Sequence, residues 1–173
     1  MDIEEKLIRG NKLFVDLLNN DHQKQEVAKD LISGQKPYAL IITCSDSRVS
    51  PEIMFSTYLG ELFVIRTAGN VINEGELATV EYAIEHLNIQ YILVLGHTHC
   101  GAVHAAIKNE HGKYIDAILN RIRHSIGDEV DEYQASIKNA KEEVRFIKER
   151  FPNYKGQVKP AIYDLETNEV KII

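Results

Sequence analysis

Cys44, Asp46 and Arg48 occupy alternate positions in CSDSR (44–48), and His97 and Cys100 lie further along in GHTHC (96–100). Two thiolates and one imidazole form a donor set that zinc accepts in tetrahedral coordination, and three protein ligands leave a fourth position for water. An open position is what a catalytic site needs. His-x-x-Cys alone is a weak pattern; joined to Cys-x-Asp-x-Arg at the end of a second strand, it becomes specific. Plain burial is the competing account, because free cysteine is among the most buried residue types. Cys44 and Cys100 are the only cysteines, and a structural disulfide between them is disfavoured in a reducing cytosol.

His99 also lies within reach of Cys100 by sequence. His97 is the better ligand, since it directly follows Gly96 at a predicted strand end. His22, His86, His104, His111 and His124 have no second ligand type nearby and are assigned no chemistry. Asp46 and Arg48 have a plain reading as a surface ion pair worth less than about 1 kcal/mol. Beside a thiolate ligand they acquire a second one, because an arginine orients a carboxylate and keeps it ionised. Asp46 then either accepts a hydrogen bond from a metal-bound hydroxide or swings in as a fourth ligand, and the spacing is compatible with both.

The elements that position these residues follow from hydrophobic pattern. YALIITC (38–44) is a continuous apolar, partly β-branched run, as a parallel strand covered on both faces requires. LFVIRTA (62–68) and YILVLG (91–96) read as further strands, and GELATVEYAIEHLN (75–88) as a helix with Leu77, Val80, Ala83, Ile84 and Leu87 on one face. Ser50 before Pro51 predicts a helix start, so PEIMFSTYL (51–59) should form a short helix that stops at Gly60. Leu7, Ile8, Phe14, Val15, Leu17 and Leu18 give residues 1–33 a helical stripe. Two charged helices are predicted between Ile115 and Phe151, broken near Gly127, and AIYDLETNEVKII (161–173) closes as two short strands. Strands joined by helical crossovers imply a parallel, doubly wound α/β sheet of about four to five strands flanked by helices. Ligands collect beyond the carboxyl ends of such strands, which is where Cys44 and His97–Cys100 fall.

Bounds on function come from composition. A chain of 173 residues with 44% apolar side chains fits one domain, 1–173, that begins with a helical arm at 1–33. A net charge of −6 with its basic residues scattered argues against nucleic acid as partner. No apolar run approaches the roughly 18 residues of a membrane span, and the acidic start MDIEEKLIRG is unlike a signal peptide. A cytoplasmic protein without a membrane partner is the expectation.

CSDSRVSPE (44–52), RTAGN (66–70), VEYAIEHL (80–87), GHTHCGAV (96–103) and AIYDLETNEV (161–170) together resemble the β-class carbonic anhydrases. The order matches from about residue 38 to the C-terminus, while the stretch 109–155 matches poorly. The resemblance implies one Zn2+ per chain held by Cys44, His97 and Cys100, with Asp46 and Arg48 as a gating dyad. It further implies reversible hydration of carbon dioxide to bicarbonate by zinc-bound hydroxide. It implies a homodimer, with tetramers as an extension, whose N-terminal helices wrap the partner. Tyr58 and Gly101 would line the substrate pocket. Tyr58 is a departure, since many relatives carry glutamine there and reach substrate with it across the dimer interface. The absence of tryptophan, together with RTAGN, resembles members without bicarbonate inhibition. Two alternatives accompany this reading. One is hydrolysis of carbonyl sulfide or carbon disulfide, linear molecules akin to carbon dioxide, on the same site; the other is a non-catalytic zinc-binding module.

Overall fold

Asp2 accepts the backbone N–H of Ile3 and closes a capping box with Glu5, which starts α1 (Ile3–Asn19). Asp21 caps α2 (His22–Asp30) by accepting the N–H of Lys24 at 3.1 Å, and a 3-10 turn (Leu31–Ser33) follows. The computed structural model describes residues 2–173 apart from the side chains of His22 and Gln25, so Met1 of the predicted arm and the imidazole of His22 lie outside the described residues. These helices belong to a unit that ends at Lys36; the rest of the chain, Pro37–Ile173, forms a second unit. No residue of α1 is buried, and Ile3, Leu7, Leu13 and Leu17 are all exposed.

The second unit is built on β1 (Ala39–Cys44), in which every residue is buried. β2 (Leu62–Thr67) pairs with it in parallel on one side, and β3 (Tyr91–His97) on the other. β4 (Gln157–Tyr163) continues the parallel sheet beyond β3, and β5 (Val170–Ile172) closes it antiparallel after a turn through Asn168, whose φ is 61°. The order is β2-β1-β3-β4-β5. The chain therefore leaves β1 for one side and returns to the other, so the crevice between the carboxyl ends of β1 and β3 is the topological switch point. Cys44 ends β1 and His97 ends β3.

Helices cover this sheet unequally. On one face Leu40, Ile42, Ile92 and Val94 pack with Leu77, Val80 and Ala83 of α4 (Glu74–Glu85) and with Ala140, Val144 and Ile147 of α7 (Glu132–Arg150). Each such fully buried aliphatic side chain contributes about 1.5–3 kcal/mol. On the other face Ile41, Leu93, Leu95 and Ala161 meet Val49, Met54 and Phe55 from the segment around α3 (Pro51–Met54). A third cluster joins α5 (Gly101–Ile107) and α6 (Asp116–Ile126) to Cys44 and Cys100, walling the site at the carboxyl edge.

Two local expectations change. The helix predicted for residues 51–59 stops at Met54, because Ser56 turns left-handed at φ 51° and Thr57 N–H bonds back to the carbonyl of Glu52. Its apolar residues serve the sheet face instead of a helical stripe. Ser50 precedes the helix in extended conformation without capping it; its hydroxyl faces Glu52 at 3.4 Å. The segment after Cys100, in contrast, continues as α5, a helix the turn-like reading of GHTHC had hidden.

Candidate metal centre

His97 Nδ1 lies 2.8 Å from the carbonyl oxygen of Thr98, the one partner that fixes its tautomer: Nδ1–H donates, and Nε2 carries the free lone pair. That Nε2 is buried and has no hydrogen-bond partner in the protein, on a residue with no exposed surface. A buried nitrogen left unpaired is costly unless something else occupies its lone pair. Cys44 Sγ and Cys100 Sγ stand 4.0 Å apart, and the donor atoms of Cys44, His97 and Cys100 all fall within 4.8 Å of one another. Two sulfurs bound to one tetrahedral zinc at about 2.3 Å would lie about 3.8 Å apart. The residues thus fit a zinc ion by donor type, by spacing and by the orphaned imidazole nitrogen.

Asp46 is not a member of this donor group. Both of its carboxylate oxygens are engaged by Arg48: Oδ1 accepts from the backbone N–H and from Nε at 2.9 Å each, and Oδ2 from Nη2 at 2.7 Å. Asp46 is mostly buried, whereas Arg48 is half exposed. The same guanidinium donates to the carbonyl of His99 at 3.2 Å, so Arg48 ties the end of β1 to the loop that carries Cys100. Arg66, from β2, donates to the carbonyls of Cys44 at 3.2 Å and Asp46 at 2.7 Å, and so fixes the backbone on which ligand and carboxylate alternate. His99 adopts φ 55°, which turns its ring away from the cluster toward Glu166 at 3.2 Å, exposed to solvent.

The electrostatics follow this geometry. Hydrogen bonding from Arg48 holds the Asp46 carboxyl well below the usual carboxylate range, and the Asp46 carboxylate in turn raises Arg48. The two thiols act as a pair: the hydrogen bond between them lowers Cys44 and, together with burial, raises Cys100. Gly69 N–H donates to the Cys44 sulfur at 3.3 Å.

Gly101 is exposed beside Cys100 at the start of α5. Tyr58 is not brought to the cluster within its own chain. It precedes β2 at the end where Leu62 pairs with Ala39, five residues short of Cys44 and thus about 16 Å along the strand direction at the usual rise. Its backbone N–H bonds to Glu61, and its hydroxyl is buried without a partner. Arg66 and Gly69 went unassigned from sequence; their only signal was membership in RTAGN, a motif that spacing alone does not connect to Cys44.

Fold and site define a mostly parallel α/β protein with a buried Cys-His-Cys cluster at its switch point that could hold a metal ion. A family profile described as carbonic anhydrase matches residues 39–170. Carbonic anhydrase 2 of Mycobacterium tuberculosis is 42% identical over 127 residues, 69% of this chain and 61% of that protein. A carbonic anhydrase of Synechococcus elongatus is 44% identical over 60% of this chain and 39% of its own length. Among solved structures, a β-carbonic anhydrase of Aspergillus fumigatus superposes with TM-score 0.86 at 26% identity, over 99% of this chain and 91% of that one. The β-carbonic anhydrase CcaA gives 0.84 at 29%, over 99% and 95%. The chain belongs to the β-class carbonic anhydrase family. It spans about three fifths of the length of the curated M. tuberculosis relative it matches.

Proposed function

We propose that the protein is a zinc-dependent carbonic anhydrase that interconverts carbon dioxide and bicarbonate. The observation that carries this reading is a donor set that stops at three, with the neighbouring carboxylate of Asp46 engaged by Arg48 instead of completing it. A fully closed four-residue site would suit a structural zinc; three donors leave room for chemistry. Bound zinc supplies Lewis acidity that makes water a nucleophile near neutral pH. Cys44, His97 and Cys100 hold the ion, and the Nδ1–H bond to Thr98 keeps the His97 ring aimed. Asp46, ionised by Arg48, retains a free lone pair on Oδ2, so it accepts a hydrogen bond from the attacking water and orients it toward the carbon. Arg48 acts through Asp46 as its positioning residue.

The reading extends to assembly and compartment. The exposed apolar stripe of α1 supports a homodimer in which the arm packs on the partner, with tetramers built from dimers. Two free cysteines as ligands suit the reducing cytoplasm; no helix among the described residues is long and apolar enough to cross a membrane. Parallel assays on the zinc-loaded chain test the substrate. Bicarbonate from carbon dioxide is expected to far outpace sulfide release from carbonyl sulfide or carbon disulfide. Sulfide release as the dominant activity would replace the substrate, and a zinc-replete chain inert toward all three would make it a non-catalytic zinc-binding module.

A further inference from the structure

Residues 69–72 form the segment that donates to the Cys44 sulfur, and its backbone turns sharply. Gly69 and Asn70 are consecutive left-handed residues, at φ 64° and φ 50°, and Asn70 is buried. Glycine takes this conformation freely and asparagine more readily than other side chains, so contacts from outside the segment decide its exact path. Two buried side chains of α7 supply those contacts. Asn139 Nδ2 donates to the carbonyl of Gly69 at 2.8 Å, and Glu143 Oε2 accepts the N–H of Ile72 at 3.3 Å. Neither Asn139 nor Glu143 has exposed surface. Glu143 is held in turn by a two-pronged pair with Arg121 of α6, at 2.9 and 2.8 Å. Thr67 closes the segment from within, its hydroxyl donating to the carbonyl of Val71 at 2.7 Å.

We infer that Asn139 and Glu143 are positioning residues for the metal ligand Cys44. They pin the 69–72 segment at both ends so that Gly69 N–H points at the sulfur, and thereby set how much charge that thiolate gives to a bound ion. This inference rests on the reading of Cys44 as a ligand. An N–H bond to a thiolate withdraws charge from sulfur, and partners of this kind govern the orientation and basicity of metal ligands. A side chain that mattered only for packing would change stability and leave the sulfur's electronic state alone. The helices α6 and α7 would then supply the outer support of the metal site.

The test uses the full chain loaded with cobalt(II), whose thiolate-to-metal charge-transfer absorption reports the charge on sulfur. The wild type shows that band. Asn139→Ala, which strips the tie from Gly69, moves it to longer wavelength and weakens zinc binding about tenfold or more. Glu143→Ala, which frees Ile72 at the other end, moves the band in the same direction and decides the matter should the Asn139 variant fail to fold. Ile147→Val, a packing change on the same helix, leaves the band in place while lowering stability. A wild-type band that stays put in a folded Asn139 or Glu143 variant overturns the positioning role. Absence of any thiolate band in the cobalt-loaded wild type defeats the ligand reading itself, and this inference with it.

Discussion

At the scale of residues, ligand and non-ligand separate on one loop. Cys100 is buried within reach of Cys44 and His97, whereas His99, one residue before it, faces Glu166 in solvent. Cys100→Ser therefore loses most of the bound zinc, because a serine hydroxyl does not ionise on the metal near neutral pH as a thiol does. His99→Ala keeps the wild-type zinc content; elemental analysis of the two variants side by side checks both. Asp46 separates binding from turnover in the same way. It lies outside the donor group, so Asp46→Asn retains zinc while carbon dioxide hydration falls by about two to four orders of magnitude, the range for a positioned polar catalytic group. Arg48→Ala gives a milder loss, since it releases the carboxylate without removing it. Unchanged turnover in Asp46→Asn would reduce the pair to a surface ion pair.

At the scale of elements, legibility tracked how local the determining physics was. β1 and β3 were readable because a strand buried on both faces must be apolar throughout, and that places Cys44 and His97 at one edge. α3 was overestimated because a left-handed serine and the demands of the sheet face outweigh helix-start signals. α7 was readable as a helix, yet Asn139 and Glu143 look like ordinary polar residues in a charged sequence; only tertiary contact with residues 69–72 gives them a task. Gly96 shows the same limit. A Cβ there would meet Cδ1 of the buried Ile162 of β4 at 2.9 Å, so any larger residue at 96 requires that side chain to move. Burial raises the native pKa of Glu143, with Arg121 opposing. Between the ordinary glutamate value of about 4.3 and that raised value, the native chain binds more protons than the unfolded one. Glu143 therefore makes stability fall as pH rises through that window. Glu143→Gln removes this contribution, so the two stability–pH curves, measured by denaturant unfolding, differ most in slope just above the ordinary glutamate range.

At the scale of the whole molecule, the arm and the metal each make a claim on the intact chain. α1 carries Ile3, Leu7, Leu13 and Leu17 exposed, a stripe that a second copy would cover. Light scattering of the zinc-loaded chain is expected to give at least a dimer at micromolar concentration, and charge placed in the stripe by Leu7→Glu with Leu17→Glu shifts it toward monomer. A wild type that stays monomeric removes the assembly proposal. The central claim, catalysis by one ion held on three side chains, is tested most directly by removing and returning the metal. Stripping the protein with a chelator should abolish carbon dioxide hydration. Titrating zinc back should then restore the rate linearly, with a break at about one zinc per chain. A rate that survives complete removal, or that returns only at a stoichiometry far from one, would contradict it.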